Sequence, residues 1–387
     1  MTDVFTSAPT VVSAPVLFEE LTAANGKRIG VATLNAEKSL NALSLEMVDF
    51  LDPQMRRWED DPQIAMVLLQ AAGEKAFCAG GDLQQLYRTM VAQHQLDDSE
   101  NILNYRYAGE FFEREYRLDY LIHTFPKPML VWGHGIVMGG GVGLMAGASH
   151  RVVTEKTRLA MPEIAIGLYA DVGGTWFLNR MPGHAGLFLA LTGVTINATD
   201  AVFAKVADVQ INQSDKAQVM EALLSQEWDG ASDDVLLTRV LQTYAQKSTP
   251  APSVLSGHLN AINQLCSAPT FVEIVNAIVD VKSDDVWLQK AAAGLAAGSP
   301  GSAYLSYALQ KRARHMSLAE IFRLEYGVSL HCCARADFAE GIRALIIDKD
   351  KQPKWLHATA AEVGHEWLNG FFQSPWSNEN HPLADLR

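Results

Sequence analysis

The chain has 387 residues, of which 48% are hydrophobic and 19% charged, enough apolar material for a large core and too little polar bias for a disordered or fibrous polymer. Its 31 basic and 44 acidic side chains leave a formal charge of −13, which argues against nucleic acid or an anionic membrane surface as a partner, so a polyanionic ligand needs a local site. Cys78, Cys266, Cys332 and Cys333 match neither a disulfide framework nor a paired-cysteine metal motif, so reduced thiols in a cytoplasmic protein without a metal are expected.

The stretch 1–14 has no basic segment followed by an apolar run and reads as a flexible N-terminus, with no export or transit signal and no membrane span. VLFEEL (16–21) and RIGVATL (28–34) then flank Asn25-Gly26, a dipeptide suited to the positive φ angles of a tight hairpin. Ser44 has the character of a helix N-cap, and Met47, Leu51, Met55 and Trp58 follow on one helical face. IAMVLL (64–69) is an uninterrupted apolar run of the kind found in strands covered on both faces. MLVW (129–132) and RVVT (151–154) repeat the rhythm, which predicts an α/β fold. Strand signals stop near residue 213, the polar, proline-containing QKSTPAPS (246–253) reads as a linker, and helical patterns such as SLAEIFRLEYGVSLHCC (317–333) dominate beyond it. The expected organisation is a core over 15–235 and a helical region over 236–387.

Two glycine turns follow apolar segments, FCAGGDL (77–83) and VMGGGVGLMAG (137–147). Such turns either point backbone N–H groups at an anion or let a helix pack closely on a sheet. Gly141, Gly143 and Ala146 satisfy G-x-G-x-x-A with Glu163 twenty residues after Gly143, but a dinucleotide site wants its acid at the end of a strand, and Glu163 lies beyond one, inside LAMPEI. One N–H from each turn, converging on one oxygen, would instead make an oxyanion hole. In LAMPEIAIGLYADVGG (159–174), Glu163 and Asp171 have no basic neighbour in an apolar run. A buried carboxylate without a partner is costly, so these two are candidates for chemistry. The plain alternatives are a helix N-terminal acid after Pro162 and a helix cap before Val-Gly-Gly-Thr.

FCAGGDL, KPMLVWGHGIVMGGGVGL and AMPEIAIGL, in this order, resemble the crotonase (enoyl-CoA hydratase/isomerase) superfamily over roughly 15–215. The resemblance implies a crotonase-like ββα spiral that binds acyl-CoA and stabilises a thioester oxyanion with two backbone amides, by motif position those of Ala79 and Gly140. Hydratases of the superfamily carry two glutamates; here the first position is Gly143 and the second is Glu163, which disfavours hydration.

Asp171 in GLYADVGGTWFLNR and the segment EGIRALIIDKDKQPKW (340–355) extend the match nearly end to end, to the 3-hydroxyisobutyryl-CoA hydrolases. That implies hydrolysis of a short 3-hydroxyacyl-CoA thioester in valine catabolism, with Glu163 and Asp171 catalytic, and with Glu115, Gly140, Glu163 and Asp171 contacting substrate. For Glu115 the ordinary alternative is a solvated helix pair within EFFEREYRLDY. The family usually has proline at position 170, so Ala170 predicts a looser loop. No cofactor is expected, coenzyme A being part of the substrate. Lys75, Lys349 and Lys351 are candidates to meet its phosphates, and self-association is left open.

Overall fold

Strands β1 (Val16–Thr22) and β2 (Arg28–Leu34) pair antiparallel, with Val16 opposite Leu34. The turn between them runs from Ala23 to Lys27, longer than the tightest hairpin. Only Gly26 takes a positive φ, 86°, while the Asn25 side chain donates to the Trp228 carbonyl at 2.8 Å and accepts from Lys27 N–H at 3.2 Å. Ser44 caps α1 (Leu45–Asp60) by accepting from Met47 N–H, and Met47, Leu51, Met55 and Trp58 are buried as the periodicity requires. The computed structural model describes residues 14–387; the expected flexible N-terminus falls, but for its last residue, outside the described residues.

From β3 (Ile64–Ala71) onward the chain repeats one unit: a strand in a large sheet, a short strand in a second sheet, then a helix or turn. β3 leads to β4 (Ala76–Cys78), α2 (Leu83–Gln93) and α3 (Arg106–His123), and β5 (Met129–Gly133) leads to β6 (Ile136–Met138) and α4 (Gly140–Ala146). β7 (His150–Val153) leads to β8 (Arg158–Ala160) and a 3₁₀ turn at Glu163–Ile166. Helices α5 (Gly174–Phe177), α6 (Ala185–Thr192) and α7 (Ala198–Phe203) and strands β9 (Ile196–Asn197) and β10 (Val209–Gln210) complete this half. The sheets run β1-β2-β3-β5-β7-β10 and β4-β6-β8-β9, parallel except at β1/β2 and β8/β9. This is the expected ββα spiral. The continuous apolar run of β3 follows from its burial on both faces: Met66 and Leu68 pack into one cluster, Val67 and Leu69 into the other.

Beyond β10 the described chain is helical. α8 (Lys216–Leu224) and α9 (Asp233–Ala245) cover the outer face of the large sheet through Val219, Leu223 and Leu237. Residues 246–253 link them to α10 (Val254–Leu265), α11 (Phe271–Val279), α12 (Val286–Ala297), α13 (Pro300–Arg312), α14 (Leu318–Cys333), α15 (Ala336–Ile342) and α16 (His365–Asn369). Ser317 and Glu320 form a reciprocal capping box at the start of α14. The inner cluster continues unbroken from Val67 and Met129 into Ile262, Leu305, Phe322 and Phe338, so these helices roof the spiral.

Close approach of α15 to the 163–166 turn depends on two glycines. A Cβ at Gly167, whose φ is 74°, would collide with the Asp337 carbonyl, and one at Gly341 with the Ile166 backbone. Gly341→Ala is therefore expected to cost ~1–3 kcal/mol, the usual range for overpacking. An unchanged urea midpoint would show that this contact has slack.

Candidate active site

A cavity of about 350 Å³ opens where the units meet. Its walls are the turn after β4, the start of α4, the turn after β8, the Asp171 loop and one face of α3, and Phe338, Leu345 and Ile346 close it from the C-terminal side. Ala79, Glu115, Gly140, Glu163 and Asp171 all line it, so the fold gathers the expected catalytic, oxyanion and substrate-contacting residues, though not Lys75, Lys349 or Lys351.

The backbone of the first glycine turn is fixed by the segment before α1. Ala79 N–H donates to Leu40 O at 3.1 Å, Leu43 N–H to Gly80 O at 2.8 Å and Asp82 N–H to Leu43 O at 2.8 Å. Leu40 and Asn41 adopt φ of 55° and 54° to present these groups, and Asn41 is buried with its amide donating to the Ala72 and Ala76 carbonyls. This corrects one assignment: Ala79 is in the wall, but its amide is already engaged by Leu40. The N–H groups of Gly81 and Gly140 donate to nothing among the described residues. They lie close together, since a Cβ on Gly140 would sit 3.5 Å from Gly81 N. The same Cβ would be 2.7 Å from Glu115 Oε1, and one on Gly139 would be 2.7 Å from Glu163 Oε1. Glycine here keeps two amides and two carboxyl groups on one open rim.

Around that rim the fold buries Glu115, Asp119, Glu163, Asp171 and Glu325, and no cation forms an ion pair with any of them among the described residues. Glu115 is 2% exposed, which excludes the solvated helix pair. Asp171 caps nothing with its side chain; its Oδ2 accepts from Tyr116 O–H at 2.7 Å. Burial pushes its pKa up to about 6, against the lowering effect of that hydrogen bond. Glu163 and Glu115 are held well above the usual carboxylate range, first by burial and then by the charge of Asp171. Glu163 Oε2 has no hydrogen-bond partner among the described residues. Burial, and after it the charge of Asp171, thus favours the neutral forms of Glu163 and Glu115.

Sequence reasoning missed Glu325, Tyr116 and Asp119. Glu325 accepts from Gly173 N–H at 2.8 Å and Thr175 N–H at 3.0 Å, and burial raises its pKa to about 8. These bonds pin a loop in which Val172, a β-branched residue, sits at φ 52°, a conformation that persists only when its surroundings enforce it. Tyr169 O–H reaches both Glu325 O and Ser329 Oγ at 2.9 Å, and Ser329 also meets Tyr116 O–H at 2.8 Å. Ala170 is buried in this network, so the loop is tied on both sides and the expected looseness is not seen. The available signal was the spacing of Phe322, Glu325, Tyr326 and Ser329, which puts an acid on an apolar helical face.

Among the described residues no group of three or more His, Cys, Asp or Glu has metal-holding geometry, and no helix is long and apolar enough to cross a membrane. Lys75, Lys349 and Lys351 are exposed. The two later lysines lie in a loop drawn in by Arg343, which pairs with Asp348 and Asp350 at 2.7 Å.

A family model described as Enoyl-CoA hydratase/isomerase matches residues 29–372. The chain belongs to that family. Within it the curated relatives are 3-hydroxyisobutyryl-CoA hydrolases. The Danio rerio protein is 40% identical over 93% of this chain and 89% of its own, and the Homo sapiens protein 36% identical over 90% and 87%. Solved family structures agree: an enoyl-CoA hydratase from Rhodobacter sphaeroides 2.4.1 is 33% identical with a TM-score of 0.77, covering 92% of this chain and 97% of that one. A carnitinyl-CoA dehydratase from Mycobacterium thermoresistibile is also 33% identical, with a TM-score of 0.80 over 94% and 97%. The relatives correct the cytoplasmic expectation, because both the fish and the human protein are named mitochondrial. Four buried free thiols indicate only a reducing environment, which does not distinguish one such compartment from another.

Asp119 tests the electrostatics of the cluster apart from any ligand. It is fully buried, neither oxygen has a hydrogen-bond partner among the described residues, and burial followed by Glu115 and Asp171 holds its pKa well above 3.8. A raised folded-state pKa means that the folded chain binds the proton more tightly, so wild-type stability falls as pH rises above the ordinary Asp value. Asp119→Asn removes this contribution. Its stability relative to wild type, read from urea midpoints, should climb from pH 4 to pH 8, and a constant difference would show that Asp119 is not perturbed.

Proposed function

We propose that the chain hydrolyses the thioester of a short 3-hydroxyacyl-CoA, 3-hydroxyisobutyryl-CoA in the first instance, to the hydroxy acid and coenzyme A, a step of valine breakdown. The observation that carries this reading is the juxtaposition on one cavity rim of two unengaged amides with Glu163 and Asp171. The thioester oxygen lies between the N–H groups of Gly81 and Gly140, donors whose loss at comparable sites costs on the order of 2.7–4 kcal/mol each. Glu163 supplies the oxygen nucleophile. Either its carboxylate attacks the carbonyl, expels the thiolate and leaves a mixed anhydride for water to open, or it takes the proton from an attacking water. Its raised pKa strengthens it as a base and lowers the fraction ionised at neutral pH. Asp171, fixed through Oδ2 by Tyr116, accepts a hydrogen bond from the substrate 3-hydroxyl, with Glu115 beside it. A plain acyl chain leaves that carboxylate unpaired and is penalised.

Hydration fits this site poorly. A Cβ at Gly143 would lie 2.7 Å from Val172 Cβ and 3.0 Å from Asp119 Oδ2, so the place of the missing glutamate is already filled.

Glu163→Gln should lower thiol release from 3-hydroxyisobutyryl-CoA by on the order of 10²–10⁴-fold, the span of general acid–base contributions, with the fold intact. Wild type should leave the enoyl absorbance of crotonyl-CoA unchanged. Full thiol release by both Glu163→Gln and Asp171→Asn would refute the assignment, and rapid loss of enoyl absorbance would favour a hydratase.

The inert Glu163→Gln variant also isolates Asp171. Affinity for 3-hydroxyisobutyryl-CoA should fall as pH drops through about 6, where Asp171 takes up its proton, while affinity for isobutyryl-CoA should not. Adding Tyr116→Phe removes the hydrogen bond that lowers this pKa, so the transition should move to higher pH; a transition that stays put would break the link between Tyr116 and Asp171.

A further inference from the structure

On the other side of α5 from the candidate active site, a second cavity of about 580 Å³ lies between the start of α6, the α10–α11 connection and the end of α13. Arg180, His184, Lys311 and Arg314 line it, and no carboxylate does. On a chain of net charge −13 this is an unusual segregation, because cations gathered without a counter-charge repel one another. None of the four forms an ion pair among the described residues. Two of them are instead oriented by aromatic rings: the Arg180 guanidinium carbon lies 3.0 Å from the Trp176 ring centroid, with Nη1 donating to Trp176 O at 2.9 Å, and Lys311 Nζ lies 4.5 Å from the Tyr307 centroid.

A second observation points to a ligand independently of the charges. Gln310 is only 8% exposed, lines the cavity, and its side-chain amide has no hydrogen-bond partner among the described residues. Its polar atoms are not sealed in the interior and are reachable from the cavity, so a ligand there can accept from and donate to this otherwise unpartnered amide. Leu178, Leu187 and Ile274 add an apolar floor.

We infer that this cavity is a binding site for a small molecule bearing a diphosphate or comparable polyanionic group, held by Arg180, Lys311 and Arg314 with Gln310 completing its hydrogen bonds. Fixed guanidinium and ammonium groups match phosphate oxygens in charge and geometry, and the apolar floor accommodates an organic body attached to the anion. The site shares no lining residue with the candidate active site and the inference does not depend on the proposed hydrolysis.

Calorimetric titration of the full chain with inorganic pyrophosphate and with ADP tests it. Saturable binding that weakens with added salt is expected, with a loss of at least about tenfold in Lys311→Gln/Arg314→Gln, since truncating charge pairs commonly costs that much or more. Both residues are exposed, so the variant should fold, and its thiol release should match wild type. ADP binding tighter than pyrophosphate would assign the apolar floor to the ligand's body, and equal affinities would assign recognition to the diphosphate alone. Absence of saturable binding for both ligands at millimolar concentration, or equal affinity in wild type and variant, would overturn the inference.

Discussion

The two hydrogen bonds that Glu325 accepts from the Gly173 and Thr175 amides hold the loop on which the site is organised. They fix Val172 at a positive φ, which turns Asp171 toward Tyr116 and sets the Val172 side chain against Gly143. One buried carboxylate therefore determines where another points and also occupies the space that a glutamate at 143 would need. A helix from the C-terminal half supplies this group, so the spiral does not complete its own site; the roof that closes the core also arranges the chemistry.

Much of the fold was legible because its signals are local. The β3 run, the Ser44 cap with its buried face and the helical pattern over 317–333 follow from periodicity and hydrogen-bonding capacity within a few residues. The second sheet was not legible as strands, because β4, β6 and β8 are each too short to show a period. What announced β4 and β6 was the glycine turn at the end of each, a mark that β8 lacks. The same difference in range explains the site. Glu163 and Asp171 stood out as acids in an apolar run, but the groups that arrange the Asp171 loop lie elsewhere: Tyr116 on α3, 55 positions from Asp171, and Glu325 on α14, 152 positions from the Gly173 amide it accepts from. The displaced oxyanion donor is a case of the same kind. Choosing between Ala79 and Gly81 needs the Leu40 carbonyl, which only the folded chain brings to the turn.

The names of the solved neighbours, a hydratase and a dehydratase, and those of the curated relatives, hydrolases, describe different chemistry on one framework. Sequence identity near 33% fixes the spiral without fixing the reaction, because the reaction depends on a few side chains at its rim. Here the distinguishing group is the pairing of Gly143 with a loop that fills the space above it. Thioester hydrolysis and double-bond hydration both need a polarised carbonyl, the role proposed for the backbone amides. They differ in where the second acid or base must stand, and in this chain Val172 and Asp119 crowd the space a side chain at Gly143 would need.

Five buried carboxyl groups without a cation would be untenable if all were ionised. They coexist because burial favours the neutral form of each, opposed by the Tyr116 donor at Asp171 and the Gly173 and Thr175 donors at Glu325, while the charge of Asp171 adds to burial in raising Glu163 and Glu115. The charge that Asp171 gains above about pH 6 thus lies at the point proposed to meet the substrate hydroxyl, and it adds to the burial that raises the pKa of Glu163. In the proposed complex that hydroxyl donates to Asp171 and offsets part of the charge that, after burial, raises the Glu163 pKa, which makes Glu163 easier to ionise. On the proposed reading, recognition of the 3-hydroxyl and activation of Glu163 are coupled through one electrostatic interaction, and an acyl group without the hydroxyl gains neither.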